Sequence, residues 1–134
     1  MSQHAEAQTS TTSQLMVEID NLSIQFKSKN QIVDAVQNLS FKINRGETVA
    51  VVGESGSGKS VTALSMMRLI DFSGGQIVSG NIKFNNDHGE MLTLSELDQE
   101  KMRAIRGNDL SMIFQEPMTS LNPVFTIGMQ VSEA

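Results

Sequence analysis

The chain has no cysteine, no tryptophan and no tyrosine, and two prolines among its 134 residues. Without cysteine there is no disulfide framework and no thiolate-ligated metal, which leaves redox compartment open apart from a lean toward the cytoplasm. With six phenylalanines as the whole aromatic complement, flat faces for stacking on a base are scarce. Only two histidines are present. His4 lies in a polar start, and His88 lies in a Gly/Asn/Asp-rich turn, so neither marks a metal or acid–base site. No apolar run approaches membrane-spanning length. The start, Met1-Ser2-Gln3-His4-Ala5-Glu6, has neither a basic region nor an apolar stretch and does not read as a secretory signal. The formal net charge of -5 argues against a general nucleic-acid binder. What is present, 39% hydrophobic and 19% charged residues, is enough for a globular core within the size of one domain.

The chain is organised around Val49-Ala50-Val51-Val52-Gly53-Glu54-Ser55-Gly56-Ser57-Gly58-Lys59-Ser60. Residues 49–52 are small, apolar and mostly β-branched, and predict a buried strand. Gly53, Gly56 and Gly58 interrupt the side-chain pattern, and the stretch from Val61 to Ile70 predicts a mostly apolar helix. Strand, glycine loop and helix form the context that the G-x-x-x-x-G-K-[ST] pattern needs. A polyphosphate brings several negative charges into a small volume. A loop with little side-chain bulk curls around it with its N–H groups pointing inward, and the next helix offers its unpaired N–H groups and positive end. Lys59 is expected to reach the β- and γ-phosphates, and the Ser60 hydroxyl to sit on Mg²⁺. Glu54 is out of place in an anion site unless its side chain points away.

Around that centre, residues 1–14 read as a mobile tail. A strand begins at Leu15, is open to interruption at Asp20-Asn21, and continues through Phe26. A turn at Lys27–Asn30 leads to a second extended stretch from Gln31 to Ile43, then a turn at Asn44–Glu47. The first fifty residues thus predict antiparallel sheet, with the doubly wound part starting at residue 49. Phe26 reads either as a core aromatic or as a face for adenine, and Val36 as a weaker candidate for the other side of the adenosine. Beyond the helix, Asp71–Gln76 is a loop, Ile77–Phe84 a strand, Glu90–Leu94 a short strand, and Glu96 to Arg106 a helix capped by Ser95. Leu110–Phe114 predicts an apolar strand ending on Gln115. Glu116–Pro123 is a proline-bounded loop, and the last residues open a helix.

These stretches resemble the nucleotide-binding subunit of an ABC transporter, within the peptide/nickel/glutathione import subfamily. The matching runs are Ala35–Phe41, Arg45–Thr48, Gly53–Ser60 with its Glu54, and Met112–Pro123, MIFQEPMTSLNP, which extends well past a generic glutamine loop. The resemblance covers residues 15–134 and implies an α/β P-loop ATPase core with an N-terminal antiparallel β subdomain. It implies ATP and Mg²⁺ as ligands, on Gly53, Glu54, Ser55, Gly56, Ser57, Gly58, Lys59, Ser60 and Val61, with Phe26 stacked on adenine and Val36 beside it. Lys59 and Gln115 take catalytic places, and Ser60 and Gln115 the places near the metal. Ser73-Gly74-Gly75-Gln76 imitates the family's signature sequence but precedes the glutamine loop, so it is read as a turn.

The implied role is energising import of a small peptide-like solute (glutathione, a dipeptide or an oligopeptide) at the cytoplasmic face of the bacterial inner membrane. The implied partners are a second ATP-binding domain in a head-to-tail dimer, transmembrane permease subunits and, indirectly, a periplasmic solute-binding protein. The helical subdomain, the signature and the strand ending in Asp-Glu are not found up to Ala134. The chain is therefore expected to be the N-terminal part of such a domain, active as ATPase only within a longer parent. Two other readings stay open: a non-transport ATPase of the same superfamily, and a catalytically dead nucleotide-binding piece.

Overall fold

The computed structural model describes residues 15–115 and 121–132. The tail expected at 1–14 lies outside the described residues, as does most of the Glu116–Pro123 loop. The backbone starts with two long strands, β1 (Leu15–Ser28) and β2 (Gln31–Asn44), joined by a tight turn. After the phosphate-loop segment come α1 (Lys59–Met66), a 3₁₀ turn over Leu69–Ser73, β3 (Gly75–Asn85) and β4 (Met91–Thr93). A second 3₁₀ turn (Leu94–Glu96), α2 (Gln99–Ile105) and α3 (Ile127–Ser132) follow. The strands form one antiparallel sheet in the order β2-β1-β3-β4.

The sheet is creased along one line, and the crease explains the apolar pattern. In β1 the buried residues are Val17 and Ile19, then Leu22 and Ile24. The phase changes from odd to even across Asn21, which adopts φ 48°. One extra residue there keeps both halves facing the same core, since an unbroken strand would turn one half outward. β2 changes phase between Val36 and Leu39 at Asn38, φ 49°, and β3 between Ile77 and Ile82 at Gly80, φ 82°. Asparagine and glycine are the residues that accept this left-handed backbone with least strain. The amides released by the bulges are taken up locally: Asn21 N–H donates to Ser40 Oγ at 2.8 Å and Asn38 N–H to Ser23 Oγ at 3.0 Å. Asp20-Asn21 therefore bends β1 without ending it.

One face of the sheet carries the core, where Ile82 and Phe84 of β3 meet Ile70, Leu94, Met102 and Ile105 from the helical side. On the outer side Glu18 of β1 lies across from Lys42 of β2 and Lys83 of β3, with ion-pair distances of 2.8 and 3.5 Å. The Lys42 hydrogen bond, aided by both ammonium charges, holds the Glu18 carboxyl below its ordinary value, and the same contact raises Lys42.

Three expectations need correction. The helix expected from Val61 to Ile70 ends at Met66, because Arg68 turns left-handed at φ 54°. That turn lets its guanidinium donate to the carbonyls of Leu94, Ser95 and Leu97 at 3.4, 3.3 and 2.6 Å, and to Asp71 at 2.7 and 3.0 Å. Tertiary bonds outweigh the helix propensity of this stretch. The second helix is capped by Asp98, whose Oδ1 accepts from Lys101 N–H at 2.8 Å, and not by Ser95. Ser95 lies in the preceding 3₁₀ turn and accepts from Ile82 N–H at 3.4 Å.

The third correction concerns the two short apolar segments read as buried strands. Residues 49–52 lie outside any sheet, and Val51 and Val52 are 56% and 89% exposed. Residues 111–114 are also unpaired, with Ile113 98% exposed. A parallel strand is held by neighbours on both edges and layers on both faces. Among the described residues these segments have no such edge partners, so local β propensity alone does not make them strands. Val49 and Val51 do lean on α1 and β2, across a small gap of 160 Å³ lined also by Phe41, Ile43, Thr62 and Met66. No helix is long and apolar enough to cross a membrane among the described residues.

Candidate functional site

The glycine loop closes on its own lysine. Lys59 Nζ donates to the carbonyls of Gly53 and Glu54 at 2.8 and 2.6 Å and to Ser57 Oγ at 3.2 Å. Ser57 N–H donates to the Glu54 carbonyl at 3.2 Å, which shapes the turn inside the loop. A single ammonium is thereby held inside a ring of backbone. Glu54 itself is exposed, so its charge is on the solvent side while its carbonyl helps hold the lysine.

The glycines have different tasks. Gly56 is left-handed at φ 83° with open space where a Cβ would lie. Gly58, at φ 86°, caps α1, and a Cβ there would come to 2.6 Å from the Ala35 carbonyl oxygen and 3.0 Å from Val36 Cγ2. The loop thus rests directly on β2. Gly53 is bounded by Ser57, whose Oγ would be 2.6 Å from an added Cβ. α1 begins at Lys59; the Gly58 carbonyl accepts from Thr62 N–H at 2.8 Å and from Thr62 Oγ1 at 2.9 Å. The amides of its first turn have no intrahelical acceptor and face the loop side, as at any helix start.

A cavity of 450 Å³ opens beside this loop. Of the expected residues it brings together Ser55, Gly56, Gly58, Lys59, Ser60, Val61 and Gln115. The arrival of Gln115 matters most, because it comes from 55 positions further along the chain than Ser60 by their residue numbers. The sequence reading missed Val33, Asp34 and Ala35, which form the β2 wall. Their signal is the pairing register: Val33 lies across from Phe26, and Gln25 Nε2 donates to Asp34 Oδ1 at 2.7 Å. The lining offers one cation, Lys59, and one carboxylate, Asp34.

Gly53, Glu54 and Ser57 belong to the loop without lining the cavity, and Val36 and Phe26 lie outside both. Val36 is 8% exposed and is part of the core, directly beneath Gly58. It supports the loop from below and presents no face to the cavity, because β2 alternates and Ala35 takes the outward position. Phe26 is half-buried at the end of β1, with its ring edge against Gly75 and beside Ile70. It lies next to the cavity through Val33 and does not line it. Ser73–Gln76 splits between the end of a 3₁₀ turn and the start of β3, consistent with a connection. Among the described residues no group of three or more His, Cys, Asp or Glu is able to hold a metal ion. The donors that do fit a hard cation are the Ser60 hydroxyl and the Gln115 amide oxygen, both lining one cavity; the remaining ligands of such an ion would come from phosphate oxygens and water.

A family profile described as ABC transporter matches residues 36–133. The chain belongs to the ABC transporter family. Its curated relatives include the glutathione import ATP-binding protein GsiA of Pectobacterium atrosepticum, 55% identical over 119 residues, and that of Escherichia coli, 53% identical over 116 residues. These alignments cover 89% and 87% of this chain but 19% of each relative, so the chain spans about a fifth of the length of those proteins. Among solved structures it is similar to a dimeric bacterial ABC transporter cassette, at a TM-score of 0.67 and 26% identity. A post-hydrolysis dimer of an ATP-binding cassette bound to ADP and Pi gives 0.63 and 26%. Each match covers 83% of this chain and 43% of the other. The four-stranded antiparallel sheet with α1 is therefore the N-terminal portion of an ABC ATPase fold.

Proposed function

We propose that this ABC-family chain is the nucleotide-binding N-terminal part of an import ATPase. ATP binds with its polyphosphate in the Gly53–Ser60 loop, Lys59 on the β- and γ-phosphates, and the first-turn amides up to Val61 around them. Ser60 and Gln115 would hold the Mg²⁺ that accompanies the nucleotide, which would supply positive charge to the phosphates. Phe26 stacks on the adenine with a face of its ring. The observation that carries this reading is the Lys59 ammonium gripped by the Gly53 and Glu54 carbonyls, at the rim of a cavity shared with Ser60 and Gln115.

In the longer parent, ATP hydrolysis drives import of a small peptide-like solute, with glutathione favoured by the identity to the GsiA proteins. There the domain pairs head to tail with a second ATP-binding domain, works on permease subunits from the cytoplasmic face of the inner membrane, and receives solute indirectly from a periplasmic binding protein. A strand ending in Asp-Glu and a signature sequence are not found in residues 1–134, so this piece alone binds nucleotide without turning it over. The test is equilibrium binding of a fluorescent ATP analogue with and without Mg²⁺, together with steady-state phosphate release. Binding that is Mg²⁺-dependent and lost in Lys59→Ala is the expected result. Binding that is indifferent to Lys59, or Lys59-dependent turnover by residues 1–134 alone, contradicts it.

A further inference from the structure

Behind the phosphate loop, the far end of α1 is clasped by a polar cluster whose residues do not line the cavity beside the loop. Arg68, just past α1, reaches forward to the 94–97 turn and Asp71. Arg106, just past α2, reaches back: its Nε donates to the Met67 carbonyl at 2.7 Å and its Nη2 to Gln99 Oε1 at 3.2 Å. Gln99 Nε2 in turn donates to Asp71 Oδ2 at 2.9 Å, and the Arg106 guanidinium lies 5.8 Å from the centre of the exposed Phe72 ring. Met67 is the C-cap of α1. Its carbonyl is one of those a helix leaves unpaired, at the negative end of the dipole, where a guanidinium is the favoured partner.

This contact has a geometric consequence at the other end of the helix. From Arg106 the chain folds into a tight turn, with the Gly107 amide on the Leu110 carbonyl at 2.8 Å and the Leu110 amide on the Ile105 carbonyl at 3.1 Å. It then runs through 111–114, outside any helix or strand, to Gln115. The eight residues of α1 span about 12 Å, and residues 111–115 span about 16 Å when extended. Two arms thus leave one junction, Met67 with Arg106, and both end at the cavity, one carrying Lys59 and Ser60 and the other Gln115. Residues 111–114 have no ladder partner among the described residues, so the root of that arm is its firmest attachment.

We propose that Arg106 is a positioning residue for Gln115: by capping α1 at Met67 it sets the glutamine arm against the phosphate loop. The inference rests on the nucleotide site proposed above, and it assigns Arg106 no contact with ATP. Its effect is on the Mg²⁺-dependent part of nucleotide affinity, to which Gln115 contributes, and not on the part the loop supplies alone.

The test uses the full-length protein that carries this sequence and measures affinity for a fluorescent ATP analogue in Mg²⁺ and in EDTA. Arg106→Ala should reduce the gain from Mg²⁺ by about tenfold, the scale for residues that orient a metal ligand, with the EDTA affinity unchanged. Combined with Gln115→Ala it should add nothing to the loss from Gln115→Ala alone. Arg106→Lys keeps a cation at Met67 but loses the fork to Gln99, and should show a smaller loss of the same kind. Equal losses in Mg²⁺ and EDTA, or losses that add between positions 106 and 115, overturn the proposal. Where Arg106→Ala fails to fold, Arg106→Lys decides: a Mg²⁺ gain equal to the parent's refutes it. An unmodified protein with no Mg²⁺-dependent affinity, or one indifferent to Lys59→Ala, refutes the site itself; an intact gain untouched by Arg106→Ala refutes only the positioning role.

Discussion

Gly58→Ala separates two reasons for a glycine in a phosphate loop, because Gly56 supplies an internal control. Both residues are left-handed, at φ 83° and 86°. An alanine at either position costs about 1–2 kcal/mol for the backbone alone, less about 0.4–1 kcal/mol returned by the stiffer unfolded chain. At Gly56 nothing lies within 4 Å of the new methyl, so that is the whole effect. At Gly58 the methyl meets the Ala35 carbonyl oxygen at 2.6 Å and Val36 Cγ2 at 3.0 Å. One is backbone within a sheet and the other a buried branched side chain, so neither yields easily. Such overpacking adds about 1–3 kcal/mol. Thermal unfolding without nucleotide should therefore rank the parent above Gly56→Ala and Gly56→Ala above Gly58→Ala, the last gap being about 3–10 °C for a chain of this size. Nucleotide affinity should fall further in Gly58→Ala, since the loop must lift away from β2 to relieve the contact. If the two variants melt together, the loop does not rest on β2 as described and the packing argument fails.

Three further outcomes follow from the sheet and the clasp. Gly80→Ala should lower stability by about 3 kcal/mol or more, because its methyl would overlap the Asn21 carbonyl group at the crease; chemical denaturation measures this, and a change within the noise would rule out the crease. Arg68→Ala should cost about 2–3 kcal/mol by leaving the 94–97 carbonyls and Asp71 without their donor, and hydrogen exchange should rise first in 94–105. Glu18→Gln tests the cross-strand triad through pH. Glu18 titrates below its ordinary value of 4.5, so its contribution is present above that value and disappears as pH falls through the lowered one; Lys42, raised above 10.5, loses its share as pH rises through the raised value. The difference between parent and Glu18→Gln should thus be flat through neutral pH and close in acid, and a gap that persists in strong acid would contradict the pairing.

Much of the antiparallel sheet was legible because its pattern is local. Leu15–Phe26 and Gln31–Ile43 alternate, with their phase shifted at Asn21 and Asn38, and the turn between them is built from Lys, Ser and Asn. The phosphate loop was legible for a different reason: its chemistry needs particular residues at fixed spacing, whatever surrounds them. The misread elements all depend on distant partners. Helix propensity is continuous through Met67-Arg68-Leu69, and only the carbonyls of residues 94–97 end the helix at Met66. Ser95 and Asp98 are both acceptable caps by type, and the choice between them is made by the Ser95 hydroxyl's bond to β3. Val36 and Ala35 are adjacent small apolar residues, and which of them faces the cavity depends on the phase change at Asn38. The segments 49–52 and 110–114 carry strong strand composition, but composition describes what a segment does when neighbours are present on its edges.

The unequal anchoring of the site's two halves bears on what each half is able to do. Gly58 rests on Ala35 and Val36, Lys59 is bonded to its own loop, and Thr62 secures the first helical turn. That half is shaped before any phosphate arrives, so little of the binding free energy is lost to ordering it. Gln115 comes in on an arm whose side chains at 113 and 114 are exposed and whose hold is at its root. Segments with few buried contacts are the ones that move at low cost. A rigid grip next to a loosely held segment leaves the Gln115 arm able to shift at low cost while the loop keeps its shape. The clasp at Arg106 sets the limit of that motion, since everything beyond Leu110 turns about a point fixed to the far end of the same helix that begins at Lys59.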